Sequence, residues 1–247
     1  MPMDTVPAPS SSTELLLRPR QLRELVRGVP WLGGLDDEAL EVLLKDTGVR
    51  TLASREWLFR QDAPARRVYI VINGLVRLVR SGRDGRLATI RCVERGGTLG
   101  ELSMVSGPGS YLYCAEALRR TQVLAIPAAR CREILDRHPE CRAEFMSRLA
   151  LELTERLEDL ALLTQADAMS RLVSYLLRQL PVGHHRGQQV VRLTIPKRWL
   201  AAQLAMTPET LSRLLARLRE EGIITIDRQR LVVLDEHALR DFLLDDD

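Results

Sequence analysis

The sequence predicts an α+β chain in three parts: an N-terminal antiparallel β-roll, a long helix, and a C-terminal helical unit closed by a hairpin. Three observations predict it. Between about residues 49 and 127, short β-branched and apolar runs are separated by glycine turns. From Ala128 to Thr164 the pattern becomes helical, with a heptad-like seam in its second half. Beyond residue 166, signals for a helix, a helix–turn–helix and a hairpin follow in that order.

The first residues, "MPMDTVPAPSSS" at 1–12, read as a disordered lead rich in Pro and Ser, without the basic and apolar regions of a secretory signal. No run approaches the roughly 18 apolar residues of a membrane span, so a cytoplasmic protein is expected. Residues 13–28 and 35–47 predict two short helices, which flank a roll spanning 13–127 in all. Its strands are read from "VYIVI", "LVRLV", "LATIRCV" and "QVLAI". Its turns are read from Asn73-Gly74, Ser81-Gly82, Asp84-Gly85, Gly96-Gly97 and Gly107-Pro108-Gly109. Many short strands at regular spacing predict a compact barrel or jelly roll.

The helical stretch 128–165 is interrupted near His138-Pro139. Its second part places Met146, Ala150, Leu153, Leu157, Leu160 and Thr164 at alternating steps of three and four, a seam that predicts pairing with a second copy. A parallel two-fold pair would present everything downstream in duplicate.

Residues 166–247 form the last unit. "DAMSRLVSYLLRQL" is helical, "VVRLTI" is strand-like, and "PKRWLAAQLAMTPETLSRLLARLREEG" gives two helices around the tight "AMT" turn. "IITIDRQRLVVL" follows as a hairpin, completing a winged helix–turn–helix. In the second helix Thr207 is a good N-cap, Pro208 suits the first helical position and Gly222 suits its stop. Leu211, Leu214, Leu215 and Leu218 share one stripe, with Glu209, Ser212, Arg213 and Ala216 roughly opposite. In this unit such a helix offers its polar face to the DNA major groove. Arg213 can give two hydrogen bonds to guanine, Glu209 can accept from a cytosine amino group, and Ser212 permits close approach. Lys197, Arg198, Thr207 and Arg217, with Arg228 and Arg230 on the wing, are expected at phosphates.

Charge agrees with a polyanion partner. Net charge is +3, but residues 167–234 hold 11 Lys/Arg against five Asp/Glu, while 235–247 hold one Arg against six acids. An enzyme is not expected. No Ser/His/Asp or Cys/His arrangement stands out, His184-His185 lies in a polar loop, and "RGGTLGEL" lacks the Lys-Ser/Thr of a nucleotide-hydrolysing loop. Cys92, Cys114, Cys131 and Cys141 have neither zinc nor iron–sulfur spacing and are expected to be buried small hydrophobes.

The order of parts, with "GTLGEL" at 97–102 and "IPKRWLAAQLAMTPETLSRLLARLREEGII", resembles the Crp/Fnr superfamily of bacterial transcription regulators over about residues 30–235. The resemblance implies a cyclic-nucleotide-binding-like sensor roll, a dimerising helix, a homodimer on DNA, and contacts between roll loops such as 81–86 and RNA polymerase. The spacing Glu209-x-x-Ser212-Arg213 is similar to the Fnr-like branch and implies a TTGAT-N4-ATCAA-like inverted repeat. "SRLVSYLLRQL" and "TPETLSRLL" are similar to the dissimilatory nitrate respiration regulators, which implies sensing of nitric oxide or another gas through haem b.

Gly100, Glu101 and Leu102 stand where the cyclic-AMP receptors begin their phosphate cradle, but Tyr111-Leu112 replaces the Arg-Ser pair expected there. Cyclic AMP is therefore not the expected effector, and Glu101 is left to cap its loop or pair with an arginine of this chain. A cyclic-nucleotide-responsive regulator, or a scaffold module that binds no DNA, is the alternative. The lead has no cysteine for an Fnr-type cluster, so no iron–sulfur cluster is expected. For haem, His138 is a candidate ligand, beside Cys92, Cys114 and the Pro2 terminus. Asp62-Ala63 replaces a common turn glycine, and aspartate tolerates the left-handed geometry required.

Overall fold

The computed structural model describes residues 18–82, 87–106, 109–165, 167–180, 189–193, 195–227 and 230–243. The predicted positions His184, His185 and Arg228, and the side chain of Thr164, lie outside the described residues. The chain divides into two compact units, 1–149 and 150–247.

The first unit opens with α1 (Pro19–Arg27) and α2 (Asp37–Leu44). Strands β1 (Gly48–Leu52), β2 (Trp57–Phe59), β3 (Arg67–Asn73), β4 (Val76–Ser81), β5 (Leu87–Val93) and β6 (Thr98–Leu99) follow. Then come α3 (Glu101–Val105), β7 (Cys114–Ala117), β8 (Thr121–Pro127), α4 (Ala128–Arg137) and the start of α5 (Pro139–Gln165). The strands form two antiparallel four-stranded sheets, β1-β8-β3-β6 and β2-β7-β4-β5. This is a jelly-roll pairing, in which non-consecutive strands neighbour one another.

The first sheet is buried on both faces, which is why β3 reads as an unbroken apolar run instead of an alternation. Tyr69, Val71, Val123 and Ala125 point into the roll with Phe59, Val76 and Leu78. Val68, Ile70, Ile72, Leu124 and Ile126 point the other way, onto Leu40, Leu43, Cys131, Ile134 and Phe145. A fully buried aliphatic side chain contributes about 1.5–3 kcal/mol, so helices and roll stabilise each other.

α2 is shorter than the predicted 35–47. Asp36 caps it by accepting from Ala39 N at 2.8 Å, and the chain leaves at Asp46, whose φ is +65°. Asp62 adopts the expected left-handed geometry at φ +66°. The stretch 128–165 is two helices: α4 ends at His138, and α5 restarts at Pro139, which suits a first helical position. α4 buries Cys131, Ile134 and Leu135 against the roll, so the exposed part of the predicted seam belongs to α5.

The second unit contains α6 (Ala168–Arg178), β9 (Gln189–Arg192), α7 (Lys197–Gln203) and α8 (Pro208–Glu220). β10 (Ile224–Asp227), β11 (Arg230–Val233) and α9 (Glu236–Asp241) complete it. β9 joins the predicted hairpin in a three-stranded sheet of order β10-β11-β9. Leu172, Leu176, Leu200, Leu211, Leu215, Leu218, Leu231 and Val233 share its core.

Candidate nucleic-acid interface

α8 starts as its sequence requires. Thr207 accepts from Thr210 N at 3.1 Å, and Pro208 takes the first turn without leaving a donor idle. Beyond its C-terminal end Gly222 has φ +75°, and Ile223 N reaches back to Leu218 O at 3.0 Å. That pairing satisfies a carbonyl the helix would otherwise leave open. Leu211, Leu215 and Leu218 are buried and Leu214 is half-buried against the same core. Glu209, Ser212 and Arg213 are all exposed on the opposite face. Arg213 Nη2 lies 3.5 Å from Thr210 Oγ1, which itself contacts Thr207 Oγ1 at 3.1 Å. Nothing in the sequence pattern singles out Thr210. It lies beside the arginine and the cap alike.

The expected phosphate-contacting residues divide into two groups. Lys197, first in α7, and Arg230, at the base of the wing opposite Asp227, are exposed. Arg198 is exposed with its guanidinium 4.7 Å from the Trp199 ring centre, a stacking that restrains where its charge points. Thr207 is engaged in capping. Arg217 is exposed but engaged: its Nε donates to Glu221 at 2.8 Å, and its guanidinium lies 5.3 Å from the Phe242 ring centre. A phosphate would have to compete with the Glu221 carboxylate for it.

The turn between α7 and α8 is held from outside. Ala205 adopts a left-handed φ of +50°, while Met206 N bonds to Ala201 O at 3.0 Å. Arg171 on α6 donates to Leu204 O through Nε at 2.9 Å and to Ala205 O through Nη2 at 3.5 Å. A cation at a helix C-terminus also complements the carbonyl dipoles. In sequence Arg171 looks like part of a solvated face. Only the fold brings it to residues 33 and 34 positions away.

The predicted effector residues gather only in part. Gly100, at φ +87°, precedes α3, and Glu101 is 4% exposed with Arg91 Nη2 3.6 Å from its carboxylate. Of the two roles left open for Glu101, pairing with an arginine is the one observed. Leu102 is half-buried on α3. Tyr111 is buried, stacked on Phe59 at 3.8 Å between ring centres, and donates its hydroxyl to Arg67 O at 2.8 Å. Desolvation raises its phenol far above the usual range. The hydroxyl of Tyr113 accepts from Gly100 N at 3.3 Å. Leu112 does not join them. It is 38% exposed, and its backbone N donates to Ser103 Oγ at 3.2 Å.

A buried cyclic phosphate needs a cation, and the segment 109–113 supplies aromatic rings instead, so these residues do not fit a cyclic phosphate in the manner the resemblance implies. His138 fits haem no better. Its Nδ1 lies 3.3 Å from Glu140, and it borders a cavity of about 190 Å³ where Asp36, Glu38, Glu133 and Arg137 line the wall beside Ala39, Val42 and Ile134, so an apolar macrocycle would meet four charged side chains. Cys131 is buried, Cys92 is half-buried, and desolvation pushes both thiols up to about 12. Cys114 accepts from Gln61 N at 3.2 Å.

Comparison with known proteins agrees with this architecture. A profile described as cyclic nucleotide-binding domain matches residues 49–138, and one described as Crp-like helix-turn-helix domain matches residues 170–242. The transcriptional regulator LdrP of Thermus thermophilus is 32% identical over 195 residues, covering 77% of this chain and 94% of LdrP. The structure of FixK2 from Bradyrhizobium japonicum superposes with a TM-score of 0.67 over 79% of this chain and 96% of that one, at 24% identity, a likeness of fold. DNR from Pseudomonas aeruginosa, 26% identical, gives a TM-score of 0.50 over 92% of this chain and 100% of that one. With both domain types present in order and a full-length relative at that identity, the chain belongs to the Crp/Fnr family of DNA-binding transcription regulators.

Proposed function

We propose that this regulator acts as a cytoplasmic homodimer that reads a TTGAT-N4-ATCAA-like inverted repeat through Glu209, Ser212 and Arg213. The observation that carries the reading is the division of α8, three leucines in the core and Glu209, Ser212 and Arg213 in solvent. Arg213 is assigned to a guanine, Glu209 to a cytosine amino group, and Ser212 to close approach. Lys197, Arg198 and Arg230 fix the register through phosphates.

Duplication comes from α5. Met146, Ala150, Leu153, Leu157 and Leu160 are all exposed, with Leu153 at 61% and Leu157 at 58%. Leaving such a seam in water is unfavourable by about 25 cal/mol per Å², which supports burial against a second α5. A two-fold pair sets two recognition helices about 34 Å apart, one turn of duplex.

The roll is assigned the sensor role. Its interior cations are already engaged, Arg91 beside Glu101 and Arg77 with Glu116, which argues for an effector other than a cyclic nucleotide. Effector binding would act by shifting the population of dimers whose recognition helices match that spacing. RNA polymerase is the expected protein partner at promoters. Equilibrium competition between the inverted repeat and a scrambled duplex, with the mass of the complex measured in parallel, tests this. A two-chain complex preferring the repeat by about tenfold or more is expected, and a one-chain complex without preference overturns it.

A further inference from the structure

Glu209 and Arg213 stand four residues apart on α8, with the acid nearer the helix N-terminus. On an exposed helix face that spacing and order favour an ion pair. The same spacing closes at Glu133–Arg137 on α4, at 3.1 Å, and at Glu236–Arg240 on α9, at 2.7 Å. Further along α8 itself, Arg217 takes Glu221 at 2.8 Å. Among the described residues, Glu209 and Arg213 make no such pair. A closed pair would engage both charged side chains on the polar face at once.

Thr210 gives Arg213 a different neighbour. Its side chain is half-buried, and its Oγ1 stands 3.5 Å from Arg213 Nη2 and 3.1 Å from Thr207 Oγ1. A guanidinium can only donate, so Thr210 Oγ1 is the acceptor of that contact. Its own hydrogen is then directed to Thr207 Oγ1. That oxygen already accepts from Thr210 N at 3.1 Å, and its second lone pair takes the hydroxyl. The arginine therefore sets which way the hydroxyl pair points, and the N-cap holds the Thr210 oxygen where the arginine meets it.

The competing ion pair is weak, because exposed charges are screened and two long side chains must be ordered to form it. A hydroxyl already tied to the cap needs little further ordering. A long contact is then enough to decide where the guanidinium rests.

We propose that Thr210 is a positioning residue for sequence reading. Its cap-anchored hydroxyl draws the Arg213 guanidinium away from the Glu209 carboxylate, which leaves each free for its own base pair. The guanidinium keeps donors to spare for both guanine acceptors. Thr210 itself touches no base. The proposal rests on the assignment of Glu209 and Arg213 to bases.

The test titrates the full chain against the inverted repeat and against half-site variants with one base pair changed at a time. Thr210→Val keeps the branched shape and removes the hydroxyl, whereas Thr210→Ser keeps the hydroxyl. Thr210→Val is expected to lose about three- to tenfold in discrimination at the base pairs that Glu209 and Arg213 read, with discrimination elsewhere unchanged. Thr210→Ser should stay within about twofold of the wild type. In a Glu209→Gln background no carboxylate competes for the guanidinium. Adding Thr210→Val there should no longer change discrimination at the Arg213 base pair. Full discrimination in Thr210→Val, or an equal loss with and without Glu209→Gln, would overturn the proposal. So would a uniform loss over all sequences with a shallower salt dependence, which would make Thr210 a phosphate contact. A wild-type chain that discriminates at neither base pair would remove the base-reading account and this proposal together. Wild-type discrimination that Thr210→Val retains would remove this proposal alone.

Discussion

Arg171 donates through Nε to the carbonyl of Leu204 at 2.9 Å, tying α6 to the turn between α7 and α8. The bond joins a charged donor to the end of α7, beside a left-handed alanine, and so braces the turn that precedes the Thr207 cap of α8. Charge-assisted bonds of this kind contribute about 1.5–3 kcal/mol. Arg171→Met, which keeps the stem, is therefore expected to lower unfolding free energy by about that amount and to weaken operator binding, although Arg171 is assigned no DNA contact. Denaturant titration and equilibrium binding check this. Full stability with normal affinity would show that the turn holds itself.

The same turn predicts a stabilising change. Ala205 stands at φ +50°, just after α7, where helices prefer glycine. Ala205→Gly is expected to raise stability by about 1 kcal/mol, because relief of the left-handed strain exceeds the added freedom of the unfolded chain. A thermal melt reads the result, and a lowered midpoint would mean that the strain is absent.

The seam on α5 gives a third prediction. Leu153 and Leu157 are exposed in the single chain, so replacing both with aspartate removes no core contact. The double variant is expected to keep its helix content while sedimenting as one chain, since two charge pairs would face each other across the seam. A two-chain species at the wild-type concentration would place the subunit contact elsewhere.

α8 is readable almost to its ends, because Thr207, Pro208, the leucine stripe and Gly222 all act within or beside a single helix. β1, β2, β6 and β7 were not read as strands. They span only two to five residues, and their apolar faces are completed by strands far away in sequence. The Arg91–Glu101 pair was foreseen only as one of two roles for Glu101. Arg171 and Thr210 were missed because each acts through a carbonyl or hydroxyl that only the folded turn supplies. Leu112 was misplaced because a resemblance transfers a position in the chain, not the direction its side chain takes.

The cysteines give a fourth prediction. Burial pushes Cys92 and Cys131 up to about 12 and raises Cys141 as well, so these thiols stay protonated at neutral pH. Since the thiolate is the reactive form, an aromatic disulfide reagent near neutral pH is expected to label them slowly in the folded protein and quickly in denaturant. Rapid labelling of Cys92 or Cys131 in the native state would contradict the burial seen here.

The most direct test of the central claim is base-by-base. Operator variants carrying each substitution within a half-site are titrated with the wild-type chain and with Arg213→Ala. The prediction is a loss of about 1–3 kcal/mol in operator binding, together with loss of discrimination at one base pair per half-site and retained discrimination elsewhere. A uniform loss over every sequence, with the pattern of preference intact, would make Arg213 a phosphate contact and contradict the account of α8 as the reader.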